Sequence, residues 1–177
     1  MATPWTAERE ASREELSFAA AAERHLDDVY AYLLYLTGSR DLAEDLTGET
    51  FERALRRWQR FDPRRGSART WLCQLARSSA LDHFRAERRR RRREEAVAGW
   101  EREETDAVFG EGLSAELDSA LRRLSAADRE VIALRVVLDL DVEPAARLLG
   151  ISKTACTTRL SRALEKLERL VKGDERD

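Results

Sequence analysis

Residues 37–58 read TGSRDLAEDLTGETFERALRRW, and their punctuation organises everything around them. Thr37-Gly38 is a helix stop, because glycine takes the left-handed conformation that closes a C-terminus. Ser39 follows as an N-cap, with Asp41 in the first turn where the helix dipole favours a carboxylate. Leu42, Leu46, Thr50, Phe51, Ala54, Leu55 and Trp58 then recur at helical spacing on one side. Upstream, Phe18, Ala22, Leu26, Val29, Leu33 and Leu36 predict an earlier helix. Downstream, Phe61 to Gly66 is a loop bracketed by proline and glycine. Ser67 caps a third helix through Trp71, Leu72, Leu75, Ala76, Ala80 and Phe84 into a run of arginines. No stretch alternates with period two, so the first half is a small helical bundle.

The second half repeats the grammar. Glutamate-rich, glycine-punctuated sequence from Glu94 to Gly112 has weak periodicity and reads as an acidic linker. Leu117, Leu121 and Leu124 mark a helix, and Ser125 to Asp128 is a capping box for the next, carrying Val131, Ile132, Leu134 and Val137. Asp141 caps a short helix that tolerates Pro144 in its first turn. Gly150 turns the chain, and Ser152 caps a last helix through Leu160, Leu164, Leu167 and Leu170. A short helix, a glycine turn and a second helix bearing Arg159 and Arg162 follow helix-turn-helix logic. The fold class expected is all-α: a helical bundle (17–93) and a helix-turn-helix domain (114–171) on a flexible acidic linker (94–113). A disordered N-terminus (1–16) and a tail (172–177) flank them.

Composition narrows the function. The 177 residues carry 32 basic and 34 acidic side chains, a formal charge of −2. These charges are segregated: residues 56–93 sum to +11, between acidic blocks on either side. One face is therefore matched to a polyanion. No apolar run reaches the roughly 18 residues that span a bilayer, and the N-terminus is acidic without an apolar signal core. Membrane insertion and export are not expected, and a cytoplasmic location is. Cys73 and Cys156 cannot form a disulfide framework. With His25 and His83 they show no paired zinc spacing, so no metal is expected. No glycine motif cradles phosphate, and no cofactor is expected.

Four blocks together resemble the bacterial sigma factors of the extracytoplasmic-function type (group IV): residues 37–55 above; FDPRRGS (61–67) with TWLCQLARSSALDHFR (70–85); LSAADREVIALR (124–135); and LLGIS (148–152) with RLSRA (159–163). They run in the family's order, with no middle domain between them. The resemblance implies a factor that binds core RNA polymerase, opens promoters and reads their minus-ten and minus-thirty-five elements. It implies promoter DNA, duplex and single-stranded, as one partner and the polymerase's largest-subunit coiled-coil and flap as another. An anti-sigma protein is expected by analogy.

Each block suits its implied role. Asp45, Glu49 and Glu52, spaced by four and three, make one acidic helix stripe. Such a stripe can be merely solvated; the resemblance makes it, with Leu46 and Gly48, a dock for the basic coiled-coil. Gly48 stands where the family has Gln and costs about 1 kcal/mol of helix propensity. In the next block Phe61, Arg64, Arg65, Arg69, Trp71, Arg77, His83 and Arg85 interleave cations with aromatics. Strand separation needs both, a phosphate track and surfaces for unstacked bases. Arg77 and Arg85 are expected to share a helix face that Arg88 extends, while Trp71 taken alone is more often core than platform. Ser78 replaces a family Asn that helps recognise the extruded base. Arg88 to Arg93 is expected to touch duplex phosphates without reading sequence.

In the last helix the contacts are expected between Lys153 and Arg162. Thr157, Thr158, Ser161 and Arg162 face base edges or nearby phosphates, and Arg159 lies on the backbone side. Cys156 is expected to pack as a small buried hydrophobe. A conventional helix-turn-helix repressor is the competing reading, but it has no need of the interleaved segment 61–93. A thiol enzyme using Cys73 and His83 fails on distance, since ten helical residues separate them by about 15 Å. No catalytic residue is assigned, and the chain is not expected to be an enzyme.

Overall fold

Serine opens nearly every helix. Ser17, Ser39, Ser114, Ser125 and Ser152 each accept a hydrogen bond through Oγ from the N–H three residues on, and Ser67 does the same for Thr70 at 3.2 Å. Each satisfies an N–H that the helix itself leaves orphaned. The structure, a computed structural model, describes residues 17–94, 109 and 113–173. Its helices are α1 (Phe18–Thr37), α2 (Arg40–Arg57), α3 (Ala68–Glu94), α4 (Ala115–Arg123), α5 (Ala126–Ile132), α6 (Val142–Leu149) and α7 (Lys153–Val171), with a 3-10 turn at Trp58–Arg60. No strand occurs among the described residues, in keeping with the all-α expectation. The segment 1–16, nearly all of 95–112 and residues 174–177 lie outside them.

Two predicted caps differ in detail. The Asp128 N–H donates to Ser125 Oγ at 3.2 Å, but its carboxylate makes no return bond to the Ser125 N–H and lies 3.7 Å from Lys166 Nζ instead. Asp141 occupies an N-cap position, but its side chain makes no cap bond. The helix expected to run through Val137 leaves α-geometry at Ala133–Val137. There the Leu138 N–H reaches back five residues to the Ala133 carbonyl at 2.8 Å, a π-type turn. Asp139 follows at φ +46, a left-handed position that aspartate tolerates.

α1, α2 and α3 pack as a three-helix bundle, and α4 to α7 gather around α7. The two units are not independent. α1 also lies against α5 and the π-turn, and α3 touches α6, so one continuous core runs from Val29 to Ala163. The consequence is visible along α1. Tyr32, Leu33, Leu34, Tyr35 and Leu36 are all buried, five in succession, which only a helix covered on every side can achieve. Fully burying an aliphatic side chain such as Leu33, Leu72 or Leu134 contributes about 1.5–3 kcal/mol each.

Several apolar positions expected to face the core do not. Leu26 is 48% exposed, Leu55 60%, Val137 40% and Leu164 40%. Leu26 shares an angular position with Leu33 but sits two turns before it, ahead of the contiguous buried stretch. In the other direction, Phe109 falls in the sequence read as linker, yet it is only 4% exposed. Its ring lies 5.2 Å from that of Tyr35, and its N–H donates to Asp118 Oδ1 at 2.8 Å.

Two glycines make opposite demands. Gly38 closes α1 at φ +67, and a Cβ there would meet Arg129 Nη2 at 3.2 Å. Gly48 lies inside α2 with nothing within 4 Å of a built Cβ. Gly48→Ala should therefore raise stability by about 1 kcal/mol, and Gly38→Ala should lower it by about 1–2 kcal/mol. Thermal melts should show shifts of opposite sign, roughly 2–4 °C per kcal/mol for a chain of this size.

Candidate functional site

The acidic stripe of α2 is a surface feature. Asp45, Glu49 and Glu52 are exposed, as is Gly48 between them. Glu49 and Glu52 each lie 3.5 Å from an arginine one turn on, Arg53 and Arg56. Exposed pairs at that distance are weak and exchange readily for another cation. Arg53 is held more firmly, donating to Ser79 Oγ on α3 at 2.8 Å. Leu46, read both on the apolar side of α2 and in the dock, is 3% exposed and packs into the core. It supports the stripe from beneath and offers a partner no contact surface.

Between α2 and α3 the aromatic side chains form one cluster. Trp58 stacks on Phe61, with centroids 4.9 Å apart and planes at 24°. Trp71 meets both edgewise or tilted, at 5.7 and 5.5 Å, and Phe18 reaches Trp58 at 5.7 Å. Trp71 is half-buried, so much of its ring fixes the loop. That loop carries Arg64 and Arg65 exposed, and Asp62 turns it by accepting from the Arg64 N–H at 3.0 Å. Arg69, on the first turn of α3, is partly exposed.

Along α3 the expected face divides in two. His83, Arg85 and Arg88 are exposed, with Arg85 paired to Asp82 at 3.2 Å. Arg77 points elsewhere: its Nε donates to Glu130 Oε1 on α5 at 2.7 Å. The shared-face expectation for Arg77 and Arg85 is thus corrected, and the reason is geometric. Eight residues overshoot two turns of a 3.6-residue helix by about 80°. Ser78 beside Arg77 is half-buried.

On α7 the polar residues face outward. Lys153, Thr157, Thr158, Ser161 and Arg162 are exposed, Arg159 is partly covered, and Cys156 is buried on the opposite side, as expected. Lys153 contacts Glu143 Oε2 at 3.0 Å, and that ammonium holds the Glu143 carboxyl below the usual carboxylate range. Thr157 Oγ1 donates to its own helix, at the Lys153 carbonyl, and Ser161 Oγ to Glu165. Arg162 has no ion-pair partner among the described residues. Neither thiol is activated. Burial pushes Cys73 up to about 12, leaving it protonated at neutral pH.

The residues that join the two units were missed in the sequence. Glu130 Oε1 accepts from both Tyr32 Oη at 2.8 Å and Arg77 at 2.7 Å, although Glu130 is nearly fully buried. Burial, and then the neighbouring carboxylate, drive the Tyr32 hydroxyl well above its ordinary range, so it remains a donor. Arg129 donates from Nε to the Tyr35 carbonyl at 2.7 Å and from Nη1 to the Leu124 carbonyl at 2.6 Å, with its guanidinium 5.7 Å from the Phe109 centroid. The available signal was a charged pair, Arg129-Glu130, set immediately before the apolar run 131–134.

Comparison with known proteins agrees with this layout. Residues 21–90 match the Sigma-70 region 2 family and residues 114–167 the Sigma-70 region 4 family. The chain is 35% identical over 176 residues to the ECF RNA polymerase sigma factor BldN of Streptomyces coelicolor, covering 96% of this chain and 66% of that protein. It is 34% identical over 145 residues to SigC of Mycobacterium tuberculosis, covering 79% of this chain and 75% of the relative. Among solved structures, RpoE of Bartonella quintana, in complex with the anti-sigma factor NepR, superposes with a TM-score of 0.74 at 26% identity, covering 89% of this chain and 98% of that one. CnrH, in complex with the cytosolic domain of CnrY, gives 0.62 at 25% identity, covering 89% of each chain. With both family regions matched in order on a helical scaffold, the chain belongs to the extracytoplasmic-function family of RNA polymerase sigma factors, promoter-recognising factors that initiate transcription.

Proposed function

We propose that the exposed polar residues of α2, α3 and α7 divide this work between three surfaces. The stripe Asp45, Glu49 and Glu52 docks the basic coiled-coil of the polymerase's largest subunit. The loop residues Phe61, Arg64 and Arg65, with Arg69, Trp71, Ser78, His83, Arg85 and Arg88 of α3, hold and open the minus-ten element, joined by Arg77 once it is released from Glu130. Lys153, Thr157, Thr158, Arg159, Ser161 and Arg162 of α7 engage the minus-thirty-five element. The chain carries out no catalytic step; it acts in the cytoplasm on the polymerase's own chemistry. An anti-sigma protein is its expected regulator, by analogy with RpoE and CnrH, whose structures contain NepR and CnrY.

The observation that carries the reading is the sorting of side chains on α7. Cys156 and Ala163 anchor one face in the core, while Thr157, Thr158, Ser161 and Arg162 cover the other with short polar groups and one guanidinium. That is the composition of a groove-reading helix, with arginine able to pair with the guanine edge and threonine methyls able to meet thymine. Selection of promoters from random DNA by reconstituted holoenzyme tests the reading directly. Recovery of two separated elements supports it, and recovery of a single palindrome favours a conventional repressor.

The dock predicts a charge effect. Asp45→Lys with Glu49→Lys sets like charges against a basic surface, costing a few kcal/mol at close approach. Core-polymerase binding in a pull-down should be lost with helicity by circular dichroism intact, and normal binding would make the stripe a solvated face.

The two cationic sites predict different behaviour on DNA. Arg88→Gln, Arg89→Gln and Arg92→Gln together should weaken holoenzyme binding about equally on all sequences. The slope of log affinity against log salt should flatten by roughly 0.9 per lost contact. Arg162→Ala should cost about 1–3 kcal/mol on the cognate upstream element and far less on a scrambled one. Equal losses on both DNAs would make Arg162 a phosphate clamp.

A further inference from the structure

Across the turn that joins α6 to α7, one carboxylate holds two cations. Glu143 lies in the first turn of α6, with Oε1 3.3 Å from Arg147 Nη2 and Oε2 3.0 Å from Lys153 Nζ. The first pair is the ordinary one between residues one helical turn apart. The second crosses the Gly150 turn to the opening residue of α7. All three side chains are more than half exposed, so the pairs contribute little to stability. What they govern is where the Lys153 ammonium can go.

Lys153, Thr157 and Ser161, four residues apart, form one exposed line along α7. The Thr157 hydroxyl donates to the Lys153 carbonyl at 3.1 Å and that of Ser161 to Glu165 at 3.1 Å. The donors left on this line are those of the ammonium, which has three N–H groups and directs one at Glu143. The first turn of α7 carries no acidic residue, so Lys153 adds its charge to the positive end of the helix dipole. Alone, that pair of positive sources would draw a phosphate of any sequence. The Glu143 carboxylate offsets both and tethers the end of a flexible four-carbon stem. The remaining ammonium protons then suit the adjacent N7 and O6 acceptors of guanine.

We propose that Glu143 is a specificity-determining residue of the upstream contact, reserving the Lys153 ammonium for a guanine edge and withholding it from phosphates. The inference rests on the reading of α7 as the helix that engages the minus-thirty-five element. An exposed pair is displaced at small cost, so Glu143 biases the choice by several-fold and does not block it. Specificity here is a difference of two affinities, and the carboxylate acts chiefly by weakening the wrong one.

Glu143→Gln keeps the shape and removes the charge. It is compared with the unaltered chain, Lys153→Gln and the double variant, each as holoenzyme, with thermal melts expected to coincide. The DNAs share a downstream element and carry either the upstream element recovered by promoter selection or a scrambled one. Glu143→Gln should bind the scrambled DNA more tightly, with the log–log salt slope steeper by roughly 0.9 for one added phosphate contact. Its gain there should be about 3.5 times larger at roughly 50 mM than at roughly 200 mM salt. The cognate-to-scrambled ratio should fall about tenfold, within the range of one base contact. In the Lys153→Gln background Glu143→Gln should change neither slope nor ratio. An unchanged ratio in Glu143→Gln overturns the proposal, and so does a gain that persists without Lys153. If the unaltered holoenzyme itself fails to distinguish the two DNAs, the reading of α7 falls instead, a separate result.

Discussion

A single carboxylate oxygen, Glu130 Oε1, holds a tyrosine of α1 and an arginine of α3 to the second half of the chain. In the interior this is a high-stakes arrangement. Loss of one partner of a buried ion pair typically costs about 3–5 kcal/mol, because the remaining charge is left without solvent. The aliphatic burial around it supplies most of the attraction, but that attraction is non-directional. The Glu130 node fixes which residues meet, and thereby which surfaces of α3 and α7 stay free.

The rest of the molecule follows a division between tight and loose electrostatics. Buried or half-buried pairs, Glu130 with Arg77 and Asp118 with Arg122, join elements or tie down Phe109. Exposed ones, such as Arg56–Glu52, Arg85–Asp82 and Lys153–Glu143, lie on the surfaces proposed to meet polymerase or DNA. Exposed pairs contribute little and are screened by salt, so a phosphate or a partner's charge can replace either member at small cost.

Local signals in the sequence were reliable where the physics is local. Serine caps, the Gly38 and Gly150 stops and the outward polar face of α7 all depend on a few neighbouring residues. What was not legible depends on where distant elements meet. Tyr32 to Leu36 are five successive residues that no one-sided stripe accommodates, yet a helix periodicity search reads only the expected face. Leu46 carried two readings, the apolar line of α2 and the docking helix, and only the packing of α2 on its neighbours decides for the first. Arg77 and Arg85 looked coaligned by count, and the 80° drift over eight residues sends them to different partners. Phe109 was absorbed into acidic sequence whose composition says nothing about a single aromatic ring closing over Tyr35.

The most direct test of the Glu130 node as the joint between the two halves is a distance measured across it. Spin labels at Gln74→Cys on α3 and Glu168→Cys on α7 sit at exposed positions, while the native Cys73 and Cys156 are buried. Double electron–electron resonance on the free protein should give one short, narrow distance, and Glu130→Ala should broaden it. A broad long distribution in the unaltered chain, or an unchanged narrow one in the variant, would contradict the account.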